Sequence, residues 1–442
     1  MHGRPPLRVG DPAAADTPRP QPPEPKSWEE EPLPLTAAWL TAALRAGGAL
    51  APGAAVASLR FDPAHVRRGE GDRLRRVLLC GDGAGVPASV YVKQVEDQEA
   101  TFYASVAPIL RGVCTPRVHY LGASLLVLED VAAPCWDEVE PSGCKDLRAL
   151  SQRDAAIVSA YARLHSATWD AEPARRADTA ARGLRHGLRV RSEWRRAASQ
   201  PWIREVVLAA VEEGRSGRSA GALCLAVAGQ WQACEAAMGS AACILHGDPH
   251  GGNILDVGSG GAEVLPPCLL DFESAAFDHP AWDLALLTFQ LWASQWACSP
   301  AHACRALAAA YVGELVRCGV ETYGIDACVA DLGVAIPLCF VGALLSSMAV
   351  AFEEWWRAEP EPAASPGIER GPAPAEARNL EQALTGLESE NAMAGLPDSV
   401  TGSYHAELEH QGLVVGREDG SKEGGSRQVV QHWAGSFSEI EF

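Results

Sequence analysis

The pattern of apolar residues divides the chain into a strand-rich part followed by a helix-rich part. Residues 36–46 have apolar positions at helical spacing, with Thr36 placed as N-cap and Gly47–Gly48 at the end, which predicts a short helix. Four short apolar runs predict strands: VASLRF, LRRVLLC, ASVYVK and SLLVLED. A helix is predicted before the fourth, from about Gln98 to Leu110. This order predicts an antiparallel sheet that carries one helix.

After residue 146 the pattern becomes mainly helical. We expect helices in RDAAIVSAYARLHSATW, around 203–240 and across 282–356. Residues 244–271 interrupt them, with the runs ILDV and PPCLLDF on either side of GSGG, which predicts a hairpin. The fold class is therefore α+β, with a small sheet lobe joined to a larger helical lobe. Clefts between two such lobes are common ligand sites.

One apolar stretch, Leu332–Phe352, is long enough to span a bilayer and contains no charged residue. Pro337 and Gly342 interrupt it, and Asp331 and Glu353–Glu354 flank it with the wrong charge for a simple anchor. We therefore expect a buried helix pair and no membrane span.

Both ends differ in composition from the middle. Residues 1–35 are rich in proline and residues 357–442 are acidic and rich in Pro, Gly and Ser, so we expect both to be mostly disordered. Between them, we expect a sheet-based N-lobe at 36–132 and a helical C-lobe at 133–356.

The formal net charge of the chain is -19, and more than half of it, -11, lies in the two ends. Nucleic-acid binding needs clustered Lys and Arg, so this balance argues against it. An anionic ligand is not excluded, because local cations or metal ions can bind it. The composition does not indicate an oligomeric state.

The 13 cysteines are scattered singly and form no C-x-x-C. Many, such as Cys243, Cys268 and Cys339, lie in apolar runs, where a free thiol behaves as a small apolar side chain. With no secretory apolar segment at the N-terminus, this usage predicts a cytoplasmic protein.

The densest group of chemically active residues lies on either side of the predicted hairpin. His246-Gly-Asp-Pro-His-Gly-Gly-Asn253 precedes it, and Asp271-Phe-Glu273 follows it. A hairpin can bring Asp248, Asn253 and Asp271 together. Phosphoryl transfer needs such a set, with one carboxylate to orient a hydroxyl and oxygen ligands for magnesium.

Two other interpretations of this motif stay open. The residues H-x-D-x-H could hold zinc or a dinuclear metal, as in a metallohydrolase. The hairpin could also be capped by Asp and Asn for purely structural reasons.

The strand-rich part supplies further kinase features. Lys93 ends a predicted strand, where it could bind nucleotide phosphates, and Glu99 at the start of the next helix could hold it in place. Arg68–Asp72 lies where a phosphate-covering loop is expected, although it is not G-x-G-x-x-G. No G-x-x-x-x-G-K-[ST] motif occurs, which excludes a P-loop enzyme of the usual type.

Together, the motifs resemble the aminoglycoside phosphotransferase and choline-kinase-like superfamily. HGDPHGGN and LLDFESAAFDHPAWDLA carry the resemblance, with YVKQ, EATFY, LLVLEDV and ARLHSATW before them. It covers about residues 36–356 and is closest to the ecdysteroid-kinase-like branch. It implies a protein-kinase-like two-lobe fold that uses ATP and Mg²⁺.

The resemblance also implies a role for each matching residue. Asp248 would be the catalytic base, and Asn253 and Asp271 the magnesium ligands. Lys93 would hold the α and β phosphates, with Glu99 as its partner.

Further residues would support the site. Backbone groups from Glu129 to Val131 would meet adenine, and His246 and Asp283 would brace the catalytic loop. His250 lies in the variable part of that loop, where it is either a substrate contact or a simple loop residue.

The acceptor is the least specified part of the prediction. Aromatic and acidic residues near the C-terminal end of the C-lobe suit either a cationic ligand or core packing: Trp292, Trp296, Glu353, Glu354, Trp355 and Trp356. A cationic alcohol, a sterol-like alcohol and a sugar hydroxyl all stay open. The predicted activity is ATP- and Mg²⁺-dependent phosphoryl transfer to a small-molecule hydroxyl. The alternative is a nucleotide-binding pseudokinase that acts as an interaction module.

Overall fold

The computed structural model describes residues 35–62, 74–82, 85–122, 124–136, 150–169, 184–200, 218–257, 265–296 and 300–357. Several predictions of the sequence lie outside these residues, namely those for the two ends, the Arg68–Asp72 loop, the GSGG turn and the helix expected near 203–217. The side chains proposed for the acceptor, Trp292, Trp296 and Glu353 to Trp356, lie outside the described ones too.

The chain forms two compact units. The sheet unit comprises Met1–Glu140, Ser159–His186 and His246–Phe277, and the helical unit comprises Pro141–Val158, Gly187–Leu245 and Asp278–Phe442. Residues 246–253 and Asp271 therefore belong to the same unit as the N-terminal strands.

The sheet unit is built on a five-stranded antiparallel sheet. Its strands are β1 (Ala55–Phe61), β2 (Leu74–Asp82), β3 (Ser89–Gln94), β4 (Val118–Leu121) and β5 (Leu125–Glu129). Across the sheet they lie in the order β1-β2-β3-β5-β4. Four of them confirm predicted strands. The fourth in chain order, β4, was missed because it has only four residues and no clear alternation.

Helix α1 (Ala37–Ala46) covers one face of this sheet and confirms the predicted first helix. The Thr36 hydroxyl accepts a hydrogen bond from the Trp39 N–H at 3.1 Å, which caps the helix. Trp39 packs edge-on against Tyr120 of β4. At the other end the chain passes so close to β4 that a Cβ on Gly47 would lie 2.1 Å from the carbonyl oxygen of His119. Only glycine fits there.

The segment between β3 and β4 is helical but irregular. It begins as α2 (Asp97–Thr101), widens to a π-helical turn at Phe102–Val106 and ends as a 3₁₀ turn at Ala107–Ile109. The predicted helical segment is therefore confirmed, although its turns are irregular. The wide turn lets the neighbouring residues Phe102 and Tyr103 both be buried, which a regular apolar stripe does not anticipate.

The predicted hairpin is confirmed. Strands β8 (Ile254–Leu255) and β9 (Cys268–Leu269) pair in antiparallel register, Ile254 with Leu269 and Leu255 with Cys268. A 3₁₀ turn at Gly251–Asn253 leads into β8. Nearby, β6 (Arg185–His186) pairs in parallel with β10 (Ala276–Asp278).

The described part of the helical unit consists mainly of helices. They are α4 (Arg189–Ala198), α5 (Arg218–Gly229), α6 (Trp231–Ala237), α7 (Ala281–Trp296), α8 (Pro300–Arg317) and α9 (Ile325–Arg357), with strand β7 (Cys243–Leu245) before the catalytic motif. Helix α3 (Gln152–Ser166) contributes residues to both units. The α+β class is confirmed.

Helix α9 contains the whole apolar stretch Leu332–Phe352. The expected helix pair was wrong, because the helix continues through Pro337 as one element. It contacts α4, α7 and α8, and Gly342 lies so close to Trp194 of α4 that a Cβ there would be 2.4 Å from the indole ring. Among the described helices, none combines the length and the apolar character needed to cross a membrane.

Candidate active site

Strand β3 places Lys93 between carboxylates of the sheet unit. The Lys93 Nζ lies 2.8 Å from Glu99 Oε2 and 2.7 Å from Asp271 Oδ1. Glu273 is farther, at 3.7 Å, and half-exposed. Lys93 and Glu99 are buried, so the two short ion pairs lie in a region of low water content. The structure thus brings together three residues that the sequence singled out.

The charges in this group are set by burial and by one another. Burial opposes a charge on Lys93, but the carboxylates of Asp271 and Glu99 raise the pKa of the ammonium above its usual value. Burial raises the pKa of Glu99 to about 7, against the effect of Lys93. Asp271 is partly buried, and Lys93 holds its pKa below the usual value. Asp271 is therefore the more firmly ionised partner of Lys93.

Asp271 has an unusual backbone. Its φ of 59° is left-handed, and it is the one non-glycine residue with positive φ among those the structure describes. Aspartate tolerates this conformation better than most residues, yet it is costly outside turns and functional sites. Just before it, the Leu270 N–H donates to the Asn253 carbonyl oxygen at 2.8 Å, so the hairpin register fixes where Asp271 leaves the strand.

The loop that carries Asp248 begins at the fully buried His246. The Asp248 N–H donates to His246 Nδ1 at 3.3 Å, so the proton of the neutral ring is on Nε2, which donates to the Leu270 carbonyl oxygen at 2.7 Å. The ring packs against Phe272, which stacks on Phe102 with centroids 3.7 Å apart. His246 therefore links the Asp248 loop to the segment that carries Asp271.

Asn253 is buried at the end of the same loop. Its Nδ2 donates to the Asp248 carbonyl oxygen at 3.1 Å, and its N–H donates to the His250 carbonyl oxygen at 2.9 Å. Because the amide nitrogen is used, the orientation of the side chain leaves Oδ1 as the atom that can bind a cation.

The Asp248 carboxylate is much more exposed than the other carboxylates, with 48% of its side chain accessible. His250 Nε2 lies 3.7 Å from Asp248 Oδ2. The other ring nitrogen of His250 accepts a hydrogen bond from the Gly252 N–H at 3.1 Å, so the ring also caps the following turn. This contact favours a loop-stabilising role for His250.

The segment predicted to meet adenine, Glu129 to Val131, begins at the last residue of β5. Glu129 pairs with Val90 of β3, and its N–H donates to the Arg117 carbonyl oxygen at 2.9 Å. The Val131 carbonyl oxygen accepts from the Ala133 N–H at 2.8 Å, whereas the Val131 N–H makes no hydrogen bond within the described parts of the chain. A backbone N–H of this kind is available to a ligand.

An ion-pair network that the sequence did not suggest holds this segment. Arg76 of β2 lies 2.7 Å from the carboxylate of Asp130 and 3.2 Å from that of Asp62. The Ser89 hydroxyl of β3 also donates to Asp130. The network joins β2, β3 and the end of β5. In the sequence, only the acid in LLVLEDV indicated this network, and no pattern identified its partner.

Asp283, predicted to brace the loop, lies in the first turn of α7 and is fully buried. It belongs to the helical unit, whereas the Asp248 loop belongs to the sheet unit. The structure does not bring Asp283 and Asp248 into one unit, so its bracing role stays a prediction.

The described residues contain a single group of acidic, His or Cys side chains that could hold a metal ion: Glu99, Asp271 and Glu273. These are hard oxygen ligands, which suit magnesium and not zinc. The histidines of H-x-D-x-H take no part in it. This composition favours the phosphoryl-transfer interpretation of the motif over a zinc site.

Several solved structures are similar to the chain. A macrolide 2'-phosphotransferase of Brachybacterium faecium is 18% identical, with 71% of this chain and 94% of that chain covered and a TM-score of 0.40. A choline kinase of Cryptosporidium parvum is 10% identical, with coverage of 80% and 91% and a TM-score of 0.42. A choline/ethanolamine kinase family protein of Mesorhizobium loti is 14% identical, with coverage of 75% and 90% and a TM-score of 0.41.

No curated protein sequence matches the chain. The family model described as "Phosphotransferase enzyme family" matches residues 22–314, which is more than half of the 442 residues. This confirms the predicted superfamily and the predicted enzyme class, although it does not identify the ecdysteroid-kinase-like branch. The chain belongs to the phosphotransferase enzyme family and is placed with the small-molecule kinases that the sequence predicted.

Proposed function

We propose that the chain is an ATP- and Mg²⁺-dependent phosphotransferase that transfers the γ phosphate to a hydroxyl group of a small molecule. The observation that carries the proposal is the pairing of Lys93 with both Glu99 and Asp271 in the same unit as the Asp248–Asn253 loop. A lysine, its acid, a base, an amide and a second acid occur in the order that kinases use.

The nucleotide would bind through charge and backbone groups. Lys93 would contact the α and β phosphates, since its ammonium stays charged and is held from two sides. The available N–H of Val131 would meet adenine at the segment fixed by Arg76 and Asp130. An acidic protein can bind an anionic nucleotide in this way, because Lys93 and the metal reverse the sign locally.

The residues present fit magnesium. Asn253 offers Oδ1, because its Nδ2 is bound to the Asp248 carbonyl, and Asp271 offers an ionised carboxylate. These two residues would hold the ion, with Glu273 nearby as a further carboxylate. When bound, magnesium supplies neutralisation of the negative charge on the phosphate oxygens.

Asp248 would orient the acceptor hydroxyl and accept its proton at the carboxylate. Its exposure suits this task, because the acceptor must reach it, whereas the side chains of Glu99 and Asp271 beside Lys93 are much less exposed. Most of the acceleration would come from positioning and charge stabilisation, as in other phosphoryl transfers.

The acceptor is proposed only as a small-molecule alcohol. We also propose a cytoplasmic location and no binding of nucleic acid, on the composition of the chain. No described residue favours the alternative of a pseudokinase, since Asp248, Asn253 and Asp271 are all present. The role of the acidic tail lies outside the described residues.

A screen of acceptors tests the proposal. The full chain is incubated with magnesium and either ATP or GTP, together with choline, ethanolamine, aminoglycosides, macrolides and sterols. Mass spectrometry then detects an added phosphoryl group on the acceptor. We expect one chemical class to be phosphorylated only with magnesium present. The control for Asp248→Ala is Asp97→Asn, which changes an exposed acid two residues before Glu99. The pseudokinase would be supported instead if the chain bound nucleotide but transferred phosphate to no class, and if wild type and Asp248→Ala consumed ATP equally.

A further inference from the structure

Two cysteines of the sheet unit, Cys114 and Cys268, lie side by side, although the sequence suggested only scattered thiols. Cys268 of β9 pairs in parallel with Cys114, which lies just before β4. The Leu269 N–H donates to the Cys114 carbonyl oxygen at 2.9 Å. Paired strands lie about 4.7–4.9 Å apart, within the Cα separation of about 4.4–6.8 Å that disulfides need. Both thiols are free.

The two thiols contact each other and differ in environment. A hydrogen bond from the Cys268 side chain lowers the pKa of the Cys114 thiol. The same contact, together with burial, raises the pKa of Cys268. Cys114 is partly exposed, whereas Cys268 is fully buried. Reactive cysteines are partly exposed and have a stabilised thiolate, so Cys114 is the thiol that an oxidant reaches first.

We propose that Cys114 and Cys268 form an oxidation site that closes to an intramolecular disulfide by exchange with a small disulfide such as oxidised glutathione. The Cys114 thiolate attacks one sulfur of the reagent, forms a mixed disulfide and releases one glutathione thiolate. Cys268 then loses its proton and attacks the Cys114 sulfur, which releases the second glutathione. Two protein thiols are oxidised, one reagent disulfide is reduced to two thiols, and the protons pass to the glutathione produced.

The site can affect function because of its place in the chain. Cys268 lies three residues before Asp271, on the strand whose register sets where Asp271 emerges. An S–S bond of about 2.05 Å is much shorter than a thiol–thiol hydrogen bond, so closing it draws β9 towards Cys114. Changes in the groups that position a metal ligand typically alter metal affinity by about 10–100-fold. We therefore expect the oxidised protein to bind Mg-ATP about tenfold more weakly.

The test uses the reduced full chain, treated with oxidised glutathione, blocked with N-ethylmaleimide and digested for peptide mass mapping. We expect a Cys114–Cys268 cross-linked peptide that dithiothreitol removes. Cys114→Ser should abolish it, and Cys318→Ser, which removes an exposed thiol elsewhere, should not. Because the wild type is mapped directly, the result does not depend on whether a variant at the buried Cys268 folds.

The mapping is independent of the proposed function, and only the affinity change rests on it. Alkylation of both cysteines after treatment, or disulfides only at other positions, would overturn the site. A mapped disulfide with unchanged Mg-ATP affinity in a protein that binds Mg-ATP would overturn its effect on function. Reduced protein that fails to bind Mg-ATP at all would contradict the proposed function and leave the oxidation site standing on the mapping.

Discussion

Two neighbouring regions of the sheet unit hold their acidic residues in opposite ways. Around Lys93, the carboxylates of Glu99 and Asp271 are mostly shielded from water and paired at 2.8 and 2.7 Å. At the Asp248 loop, the carboxylate is half-exposed, and the nearby His250 Nε2 is 3.7 Å away. The backbone of that loop, in contrast, is fixed by His246 and Asn253.

The difference matches two tasks. A group that binds nucleotide phosphates and metal gains from being fixed beforehand, because no reorganisation is then needed when charge arrives. A base that receives an exchangeable acceptor must stay accessible. The comparison teaches that binding and proton transfer should be separable by mutation, and the predictions below test this separation.

The largest effect is expected for Asp248→Asn. General-base catalysis typically contributes about 10²–10⁴-fold, so kcat should fall by about 1,000-fold. Mg-ATP affinity should stay within about twofold, since the Asp248 backbone contacts do not involve its carboxylate. Steady-state kinetics with the identified acceptor measure kcat, and calorimetric titration measures the Mg-ATP affinity. A kcat within about tenfold of wild type would remove Asp248 from the role of base.

Next in size is Asp271→Asn, which should act on binding. Loss of a group that only orients a metal ligand costs about 10–100-fold in metal affinity, so loss of the ligand itself should cost at least about 100-fold. The magnesium-dependent part of ATP stabilisation in a thermal-shift assay should disappear. If magnesium increased the stabilisation by ATP as much in this variant as in wild type, Asp271 would not bind the metal.

Glu99→Gln should have a smaller effect on the same region. A hydrogen bond to a charged group contributes about 1.5–3 kcal/mol, but Asp271 still holds Lys93 in this variant. We expect Mg-ATP affinity to fall by about tenfold, which corresponds to about 1.4 kcal/mol. Asp97→Asn, at an exposed site two residues away, should leave the affinity unchanged. Equal affinities for the two variants would mean that Glu99 does not position Lys93.

The smallest effect on the site is expected from His119, which lies on β4 outside both regions. Burial, together with the neighbouring Arg117, lowers the pKa of His119 to about 4. The unfolded chain takes up this proton near the ordinary pKa of about 6.5. Between these values the unfolded state binds more protons, so stability falls as pH falls from about 6.5 to 4.

His119→Gln should therefore flatten this pH dependence by about 3 kcal/mol and leave Mg-ATP affinity at pH 7.5 unchanged. Chemical denaturation of both proteins at several pH values measures the slope. Identical slopes would contradict the assignment. A change in the Mg-ATP affinity of His119→Gln would mean that β4 and the site are coupled. Global stability and the two regions could then not be tested separately.

The parts of the site that are local in sequence could be predicted. The two short apolar runs on either side of GSGG sufficed to predict the hairpin, because turn chemistry and strand pairing are decided over a few residues. The pairing of Lys93 with Glu99 followed from motif order and is present in the structure.

Other parts depend on tertiary contacts and left no local signal. The left-handed φ of Asp271 has no signal in the sequence, because a non-glycine residue adopts this conformation only where the surrounding structure requires it. The Arg76–Asp130 network joins residues 54 positions apart, and the wide turn at Phe102–Val106 interrupts a pattern that predicts an ordinary helix. The contact between Cys114 and Cys268 likewise depends on a pairing between distant segments.

The most direct test of the account is one titration of Mg-ATP into wild type, Asp248→Asn and Asp271→Asn, measured by calorimetry under identical conditions. The account predicts that Asp248→Asn binds Mg-ATP as wild type does, although it transfers almost no phosphate, and that Asp271→Asn loses magnesium-dependent binding. Equal loss of binding in both variants, or unchanged binding in both, would contradict the separation of nucleotide binding at Lys93 from proton transfer at Asp248.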